Sequence, residues 1–257
     1  MDYLKRVQDE FTRQAATFAA SAAITDEALT RRFQEAMGPA GTGRLLDLAC
    51  GPGIVTAALA GKAKEIVAFD ATPEMLKKAQ QRCEKAGLKN VRFEQGDAAA
   101  MPFDAASFDG LVTRLAIHHF SDPARVMAEM YRVLRPGGTA VIADVIVSED
   151  ADEAALQNAI EIIRDPSHIR MLPDTELLSL VEDAGFDIAA RSTWDKDREF
   201  EEWMGIVNDP QRTGPLRVMV RALAEEGRTA GMGLTIKNDA IAFFHRWRMV
   251  TARKPVR

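Results

Sequence analysis

Cysteine is scarce in this sequence, since Cys50 and Cys83 are the only two among 257 residues. They fall on a glycine-rich loop and in a helix-like stretch, positions that do not suggest a disulfide framework. We therefore expect a reducing compartment. Two cysteines and four histidines also form no recognisable metal-ligand spacing, so the sequence predicts no metal site.

Long apolar runs are lacking as well. The N-terminal stretch MDYLKRVQDEFTRQAATF interleaves charged and apolar side chains, whereas a signal peptide needs a continuous hydrophobic segment. No later segment is long and apolar enough to span a bilayer. We expect a cytoplasmic protein that does not interact with membranes.

The sequence has no excess of positive charge, because its formal net charge is -5 and its pI is about 5.5. This balance gives no general attraction for a phosphate backbone, so nucleic acid is not an expected partner. A hydrophobic content of 47% supports a substantial core. We interpret residues 1–257 as a single domain.

From residue 41 to residue 147, strand-like and helix-like segments alternate. Residues 1–40 before them resemble an amphipathic helical segment that includes Phe11 and Phe18. The predicted strands are LLDLA, EIVAFD, VRFEQ, FDGLVT and TAVIADVIV. Such alternation is typical of parallel strands with helical crossovers, that is, a doubly wound α/β sheet.

After Val147 this regularity loosens. An acidic helix-like stretch and a second helix precede two further strands, FDIAARSTW and IAFFHRWRMVTA. We interpret residues 148–172 and 195–237 as a helical cover over a substrate site, because long connections of this kind are commonly functional.

Acidic and glycine residues follow the predicted strands. Asp47, Gly51 and Gly53 surround the first strand end, Asp70 ends the second strand and Asp97 follows the third. The carboxyl ends of parallel strands share one ligand crevice, and a carboxylate about 20 residues past a glycine-rich turn can accept hydrogen bonds from ribose hydroxyls. The pattern therefore predicts a nucleoside-containing cofactor.

The charge near the turn indicates which cofactor this is. A dinucleotide fingerprint would have its third glycine where Thr56 stands, and Asp47 would place an anion near a pyrophosphate. The same carboxylate suits a cationic ammonium or sulfonium group. S-adenosylmethionine is favoured on charge, and a dinucleotide oxidoreductase remains the alternative that shares the fold.

The stretch from Leu45 to Val147 resembles the class I S-adenosylmethionine-dependent methyltransferases, in the branch that includes ubiquinone and menaquinone methyltransferases. The resembling strings are LLDLACGPG, VAFDATPEML, FEQGDAAAMPF, SFDGLVTRLAIHHF and EMYRVLRPGG. The resemblance implies a Rossmann-like sheet of seven strands, mostly parallel, with an antiparallel last strand. The N-terminal VQDEFTRQAATFAAS and the later RDPSHIR are similar to a bacterial subgroup of this family.

The resemblance also implies cofactor contacts. The turn at 49–53 would wrap the methionine part, Asp70 would bind the ribose, Met75 would pack near the cofactor, and Asp97 and the Ala98 N–H would bind the adenine. The predicted cofactor-binding residues are Asp47, Ala49, Gly51, Gly53, Asp70, Ala71, Met75, Asp97, Ala98 and Arg114.

Two of these positions need comment. Arg114 would contribute its backbone near the amino acid end of the cofactor. The family's first turn glycine is Ala49 here, which narrows the backbone freedom of the turn without abolishing it.

Histidines follow the fourth predicted strand, where relatives place residues that face the methyl acceptor. His118 and His119 are the predicted catalytic residues, with His119 slightly favoured because Phe120 and a helix start follow it. Histidine has a suitable pKa for a general base near neutrality. Packing or capping by either histidine is the competing interpretation.

Further candidates lie in the predicted cover. His168 and Arg170, with Arg164 nearby, could hold an anionic or phenolate acceptor, and Trp203 could line an apolar pocket. A surface ion-pair cluster and ordinary core packing are the competing interpretations. We interpret His245 as structural and Cys50 as a small packing residue.

The sequence thus predicts methyl transfer from S-adenosylmethionine to a small-molecule acceptor, on carbon or oxygen of an aromatic or quinone-like compound. The alternatives are an RNA or protein methyltransferase and a non-catalytic, cofactor-binding regulator. Oligomeric state is left open, with a homodimer as one option.

Overall fold

The structure is a computed structural model that describes residues 3–21 and 25–256. Residues 1, 2 and 22–24 of the predicted N-terminal segment and residue 257 lie outside the described part. The helices are α1 (Tyr3–Ala20), α2 (Glu27–Met37), α3 (Ile54–Ala60), α4 (Pro73–Lys85), α5 (Pro123–Val133), α6 (Ala151–Arg164), α7 (Asp174–Asp183), α8 (Phe200–Ile206) and α9 (Pro210–Glu225). The strands are β1 (Arg44–Leu48), β2 (Glu65–Asp70), β3 (Val91–Gln95), β4 (Phe108–Arg114), β5 (Leu134–Ile146), β6 (Asp187–Glu199), β7 (Thr235–Lys237) and β8 (Ala240–Arg253).

The strands form one sheet in the order β3-β2-β1-β4-β5-β8-β6. Strands β1 to β5 are parallel, and β8 lies antiparallel between β5 and β6. The predicted doubly wound, mostly parallel sheet with an antiparallel last strand is confirmed. The short β7 pairs with β8 outside the seven-strand path.

Helices cover both faces of the sheet because alternate strand residues are buried on opposite sides. On one face, Leu46 and Leu111 pack with Met130 of α5. On the other face, Leu45 packs with Phe33 of α2. The sheet is therefore the centre of a three-layer core.

The strand order reverses between β1 and β4, since β2 and β3 lie to one side of β1 and β4 lies to the other. A crevice opens at such a reversal, at the carboxyl ends of the strands. The topology thus places the residues that follow β1, β2, β3 and β4 around one space.

The structure adds detail to the N-terminal segment and to two helix starts. The segment 1–40 contains two helices, α1 and α2, rather than one. Thr72 precedes α4 but makes no side-chain cap hydrogen bond, whereas Asp122 caps α5 by accepting from the Arg125 N–H at 3.0 Å.

The predicted connection 195–237 also differs from the structure. Its first residues belong to β6, which continues to Glu199, and the rest contains α8, α9 and β7. Trp203, Met204 and Met232 pack together with Val220 in a separate hydrophobic cluster beside the sheet. Across residues 3–21 and 25–256, no helix has the length and apolarity needed to cross a membrane.

The turn between β1 and α3 yields a stability prediction. Gly51 and Gly53 both have positive φ, 53° and 73°. A Cβ on Gly53 would lie 2.7 Å from the Ala79 Cβ and 2.8 Å from the Ala79 Cα, whereas a Cβ on Gly51 would meet nothing within 4 Å. We expect Gly53→Ala to lower the free energy of unfolding by about 2–4 kcal/mol, from left-handed strain and overpacking.

Gly51→Ala is the matched control and should cost only the strain, about 1–2 kcal/mol. Urea unfolding of both variants measures the difference. Equal destabilisation by the two substitutions would show that close packing of the turn on α4 is unimportant.

Candidate active site

A cavity of about 240 Å³ lies at the carboxyl ends of the parallel strands. Nine of the ten predicted cofactor-binding residues line it: Asp47, Ala49, Gly51, Asp70, Ala71, Met75, Asp97, Ala98 and Arg114. Gly53 is not among the lining residues and instead begins α3 against Ala79. Cys50 also lines this cavity, which we call the strand-end cavity, and it is a free thiol.

Asp70 organises the floor of the strand-end cavity. Its Oδ2 accepts the Gly51 N–H at 2.8 Å, and its Oδ1 accepts the Thr72 N–H at 2.8 Å. Burial raises the pKa of Asp70, and these two backbone donors oppose the rise. The carboxylate therefore joins the turn after β1 to the start of α4.

Asp47 lies at the end of β1, opposite α3. Its Oδ2 accepts a hydrogen bond from Thr56 Oγ1 at 2.5 Å. Burial raises the pKa of Asp47 to about 7, while the Thr56 hydroxyl and the charge of Arg114 oppose that rise. A buried carboxylate of this kind gains stability when a cation binds beside it.

Ala49 replaces the family's turn glycine and adopts φ 54°. This left-handed conformation costs an alanine about 1–2 kcal/mol, and the turn forms nonetheless. Asp97, on the opposite side of the cavity, is exposed and accepts the Ala99 N–H at 2.9 Å.

Helix α1 covers the strand-end cavity from the solvent side. It contributes Tyr3, Leu4, Val7, Phe11 and Phe18 to the lining. Its Gln8 donates to the Ala71 carbonyl at 2.9 Å.

The hydroxyl of Tyr3 donates to the Ser167 carbonyl at 2.8 Å and also contacts the His119 carbonyl. Thr17 donates to the Ile206 carbonyl at 2.5 Å. The N-terminal helix is thereby fixed to three separate parts of the chain.

A second cavity, of about 60 Å³, lies beside the first, and all four histidines of the sequence line it. We call it the histidine chamber. The two cavities share the side chains of Phe11, Phe18, Leu115 and His119. The two cavities therefore adjoin along a wall formed by these four side chains.

His118 and His119 are buried in the 3₁₀ turn Ile117–His119 that follows β4. Burial disfavours the imidazolium of His118, but the carboxylate of Asp144, with Oδ1 2.5 Å from Nδ1, outweighs it and raises the pKa of His118. Burial and the charge of His118 lower the pKa of His119 to about 4. The two adjacent imidazoles therefore have opposite protonation preferences.

His168 is brought to this pair by the loop after α6. Its ring centroid lies 4.6 Å from those of both His118 and His119, and burial together with the two neighbours lowers its pKa. The Ile169 N–H donates to the His118 carbonyl at 2.8 Å and fixes the loop in place.

Glu161 forms the opposite wall of the histidine chamber. Its Oε1 lies 3.0 Å from His245 Nε2, and its Oε2 lies 3.2 Å from the Arg164 guanidinium. Burial would raise the pKa of Glu161, but Arg164 and the neighbouring histidines hold it below its usual range. His245 also contacts Arg198 through Nδ1, at 3.1 Å.

Two of the three predicted substrate-binding residues line the histidine chamber, and the third does not. His168 and Trp203 line the histidine chamber, and the Arg164 guanidinium lies 4.4 Å from the centre of the Trp203 ring. Arg170 lines neither cavity, because its exposed side chain pairs with Glu176.

Sequence reasoning missed Asp144, Glu161 and Arg198 around the chamber, and Tyr3, which lines the strand-end cavity. Asp144 could have been found from the sequence, since it is the single charged residue within the apolar strand TAVIADVIV. Glu161 stands in an acidic helix that resembled a solvated face. Arg198 lies beyond the predicted end of its strand.

The buried Asp47 predicts a pH dependence of stability. In the protein without ligand, its folded pKa is about 7 and its usual value is 3.8. Because burial favours the protonated form, the free energy of unfolding should fall as pH rises between these values, by up to about 4 kcal/mol. Asp47→Asn should remove that decline.

Urea unfolding at about pH 5 and about pH 8 compares the two proteins. The variant should gain stability relative to the original chain at the higher pH. The same stability difference at both pH values would contradict the assigned ionisation.

Comparisons with known proteins agree with this geometry. The profile of a methyltransferase domain family matches residues 46–142. The uncharacterized methyltransferase YcgJ of Bacillus subtilis is 32% identical over 161 residues, 63% of this chain and 64% of that protein. Demethylmenaquinone methyltransferase of Deinococcus radiodurans is 43% identical over 103 residues, 38% of this chain and 42% of that protein.

These alignments span less than two thirds of either relative's length. A crystal structure assigned as a methyltransferase of Bacillus halodurans superposes with a TM-score of 0.83 and 30% identity, covering 89% of this chain and all of that one. Profile, relatives and fold therefore agree with the resemblance of the strand-end motifs: the chain belongs to the class I methyltransferases, whose cofactor is S-adenosylmethionine.

Proposed function

We propose that this protein transfers the methyl group of S-adenosylmethionine to a small-molecule acceptor that reaches from the histidine chamber to the strand-end cavity beside His119. The observation that carries the proposal is the shared wall of Phe11, Phe18, Leu115 and His119 between the two cavities. Methyl transfer is an in-line displacement at an activated sulfonium, so the protein mainly aligns the reactants and excludes water. Two adjoining cavities can hold the two reactants next to each other.

We assign the strand-end cavity to the cofactor. Asp70 uses one lone pair of each oxygen on a backbone N–H and has others left for the ribose hydroxyls. Asp47 provides negative charge for the cationic methionine end, where the turn at 49–53 and the Arg114 backbone would also contribute.

The other end of the strand-end cavity would hold the adenine ring of the cofactor. Asp97 and the Ala98 N–H lie where the adenine would reach, at the exposed side of the cavity. Met75, which is buried, and Ala71 would pack against the adenosyl group.

We assign the histidine chamber to the acceptor. His119 borders both cavities and would contact the reacting atom of the acceptor, with His118 behind it, held by Asp144. His168 and Trp203 would contact the rest of the acceptor. On this assignment, residues 148–172 and 195–237 contribute the cover that the sequence predicts.

The proposed acceptor is an aromatic or quinone-like compound that is methylated on carbon or oxygen. Support comes from the mixed lining of the chamber, in which the rings of Phe11, Phe18 and Trp203 adjoin charged and imidazole groups. The name of the Deinococcus radiodurans relative agrees with a quinone-like acceptor. Because that alignment spans 38% of this chain, the chamber chemistry carries most of the proposal.

A chamber of about 60 Å³ has room for a small acceptor or for part of one, which favours a small molecule over RNA or a folded protein. The cytoplasmic location and the option of a homodimer stay predictions from the sequence. A regulator that binds the cofactor without transferring methyl groups is an outcome that the assays below detect.

Asp70→Ala should weaken S-adenosylmethionine binding by about 10-fold or more, since hydrogen bonds to a charged group contribute about 1.5–3 kcal/mol. Isothermal titration calorimetry measures the change. Asp187→Ala, at an exposed position on the remote strand β6, is the matched control and should bind as the original chain does. Unchanged binding by Asp70→Ala would remove this carboxylate from the cofactor site.

His119→Ala should mainly slow turnover, on the order of 100-fold, while leaving cofactor binding nearly unchanged. Mass spectrometry of phenols, quinones and amines incubated with protein and cofactor would identify a methylated product for this assay. Turnover near that of the original chain would exclude His119 from the reaction. Cofactor binding without any methylated product would favour the regulator.

Arg170→Gln, assayed with the same product, tests the remaining predicted substrate contact. Because the guanidinium pairs with Glu176 outside the chamber, we expect KM and kcat to change less than twofold, a difference of about 0.4 kcal/mol or less. A large rise in KM would restore Arg170 to the acceptor site.

A further inference from the structure

Three imidazoles meet at one point of the histidine chamber. One ring nitrogen from each of His118, His119 and His168 lies within 4.8 Å of the other two, and all three side chains are buried. They reach this point from two segments, the 3₁₀ turn after β4 and the loop after α6. Neither segment alone has a metal-ligand spacing, which is why the sequence predicts no metal site.

A buried carboxylate lies behind each imidazole, for His119 through Ser167. His118 Nδ1 lies 2.5 Å from Asp144 Oδ1. His119 Nδ1 lies 3.0 Å from the Ser167 carbonyl, and the Ser167 hydroxyl donates to Asp165 at 2.6 Å. Because these contacts occupy Nδ1, they leave Nε2 of both rings for a ligand.

The imidazole of His168 also lies near a carboxylate, but at a longer distance. His168 Nδ1 lies 3.8 Å from Glu161 Oε2, and among the described residues it has no hydrogen-bond partner. Metal-binding histidines usually direct their second nitrogen to a carboxylate or a backbone carbonyl, which fixes the tautomer and the ring orientation. All three rings of this cluster have such a group within 4 Å.

The charges around the cluster favour a cation. Three buried carboxylates, Asp144, Glu161 and Asp165, face the imidazoles, whereas Arg164 and Arg198 supply two guanidinium groups. Buried carboxylates are costly unless positive charge lies close to them. One of these carboxylates lies behind each imidazole, directly or through Ser167, so a cation held among the three rings would be attracted by all of them.

We propose that His118, His119 and His168 bind one divalent transition-metal ion, of which zinc is the representative. Neutral imidazole suits zinc and its neighbours, whereas magnesium and calcium prefer oxygen ligands. Three protein ligands also match zinc sites that keep a position open for water or substrate. Here the open position would face the histidine chamber, next to the wall shared with the cofactor.

The rings need only small movements to close on an ion. Zinc–nitrogen distances of about 2.0–2.1 Å in a tetrahedral site place ligand nitrogens about 3.4 Å apart. The present nitrogens lie within 4.8 Å of one another, so side-chain rotations suffice. The site deepens the proposed function, on which its catalytic meaning rests, because the open position would hold an oxygen of the acceptor. His119, with Nδ1 on the Ser167 carbonyl and Nε2 on the ion, would then act on the acceptor through the ion.

The test measures metal binding without cofactor or acceptor. The chain is produced without a histidine tag, because its own four histidines are the groups under test. Chelator-treated protein is dialysed against zinc or cobalt(II), the metal content is measured by mass spectrometry, and the cobalt form is examined for visible ligand-field absorption. We expect one ion per chain and the absorption of a tetrahedral cobalt site.

His168→Gln is the principal variant, because the ring loses no Nδ1 hydrogen bond among the described residues. It should weaken zinc binding by about 100-fold or more, since loss of even an outer partner of a metal ligand costs about 10–100-fold. His119→Gln should behave in the same way. If His168→Gln fails to fold, as judged by circular dichroism, His119→Gln decides the result.

His245→Gln is the matched control, since His245 lines the same chamber but lies outside the triad. It should bind zinc within a few-fold of the original chain. Failure of the original chain to bind zinc or cobalt overturns the proposal, as does equal loss of binding in His245→Gln and His168→Gln. Because neither reactant is present, such a failure leaves the methyl-transfer proposal standing, and absence of cofactor binding would leave the metal site standing.

Discussion

The burial of two carboxylates at neighbouring parallel strand ends is the constraint on which the rest of the site depends. Asp47 and Asp70 end β1 and β2, and burial raises the pKa of both. A buried carboxylate is stable in its charged form only where hydrogen-bond donors and positive charge compensate for the loss of water. Thr56 and the backbone of Gly51 supply the donors, and a sulfonium cofactor would supply the charge. The shape of the turn, the position of α3 and the class of ligand all follow from this arrangement.

Local patterns predicted which residues surround the strand-end cavity, since nine of the ten predicted positions line it. Alternating strands and helices fix a parallel topology, and that topology brings successive strand ends together, so the pocket around Asp70 could be inferred without coordinates. The cap at Asp122 follows from local chemistry. Thr72 precedes α4 without a side-chain cap hydrogen bond, and its N–H donates to Asp70.

In the histidine chamber, the sequence predicted His118, His119, His168 and Trp203, but not the contacts among residues that are distant in sequence. His168 joins His119 through a loop whose path depends on the backbone bond to His118, and α1 folds back over both. The end of β6 lacks the apolar alternation of a strand, and pairing with β8 overrides its local preference. Arg198 therefore lay outside every recognisable motif.

The central claim is that a cofactor in the strand-end cavity presents its methyl group beside His119, to an acceptor that reaches this point from the histidine chamber. A crystal structure with bound S-adenosylhomocysteine tests this directly. The account predicts ribose hydroxyls on Asp70 and a sulfur atom that faces the chamber beside His119. A sulfur atom directed toward solvent, or a ligand bound away from Asp70, would contradict it.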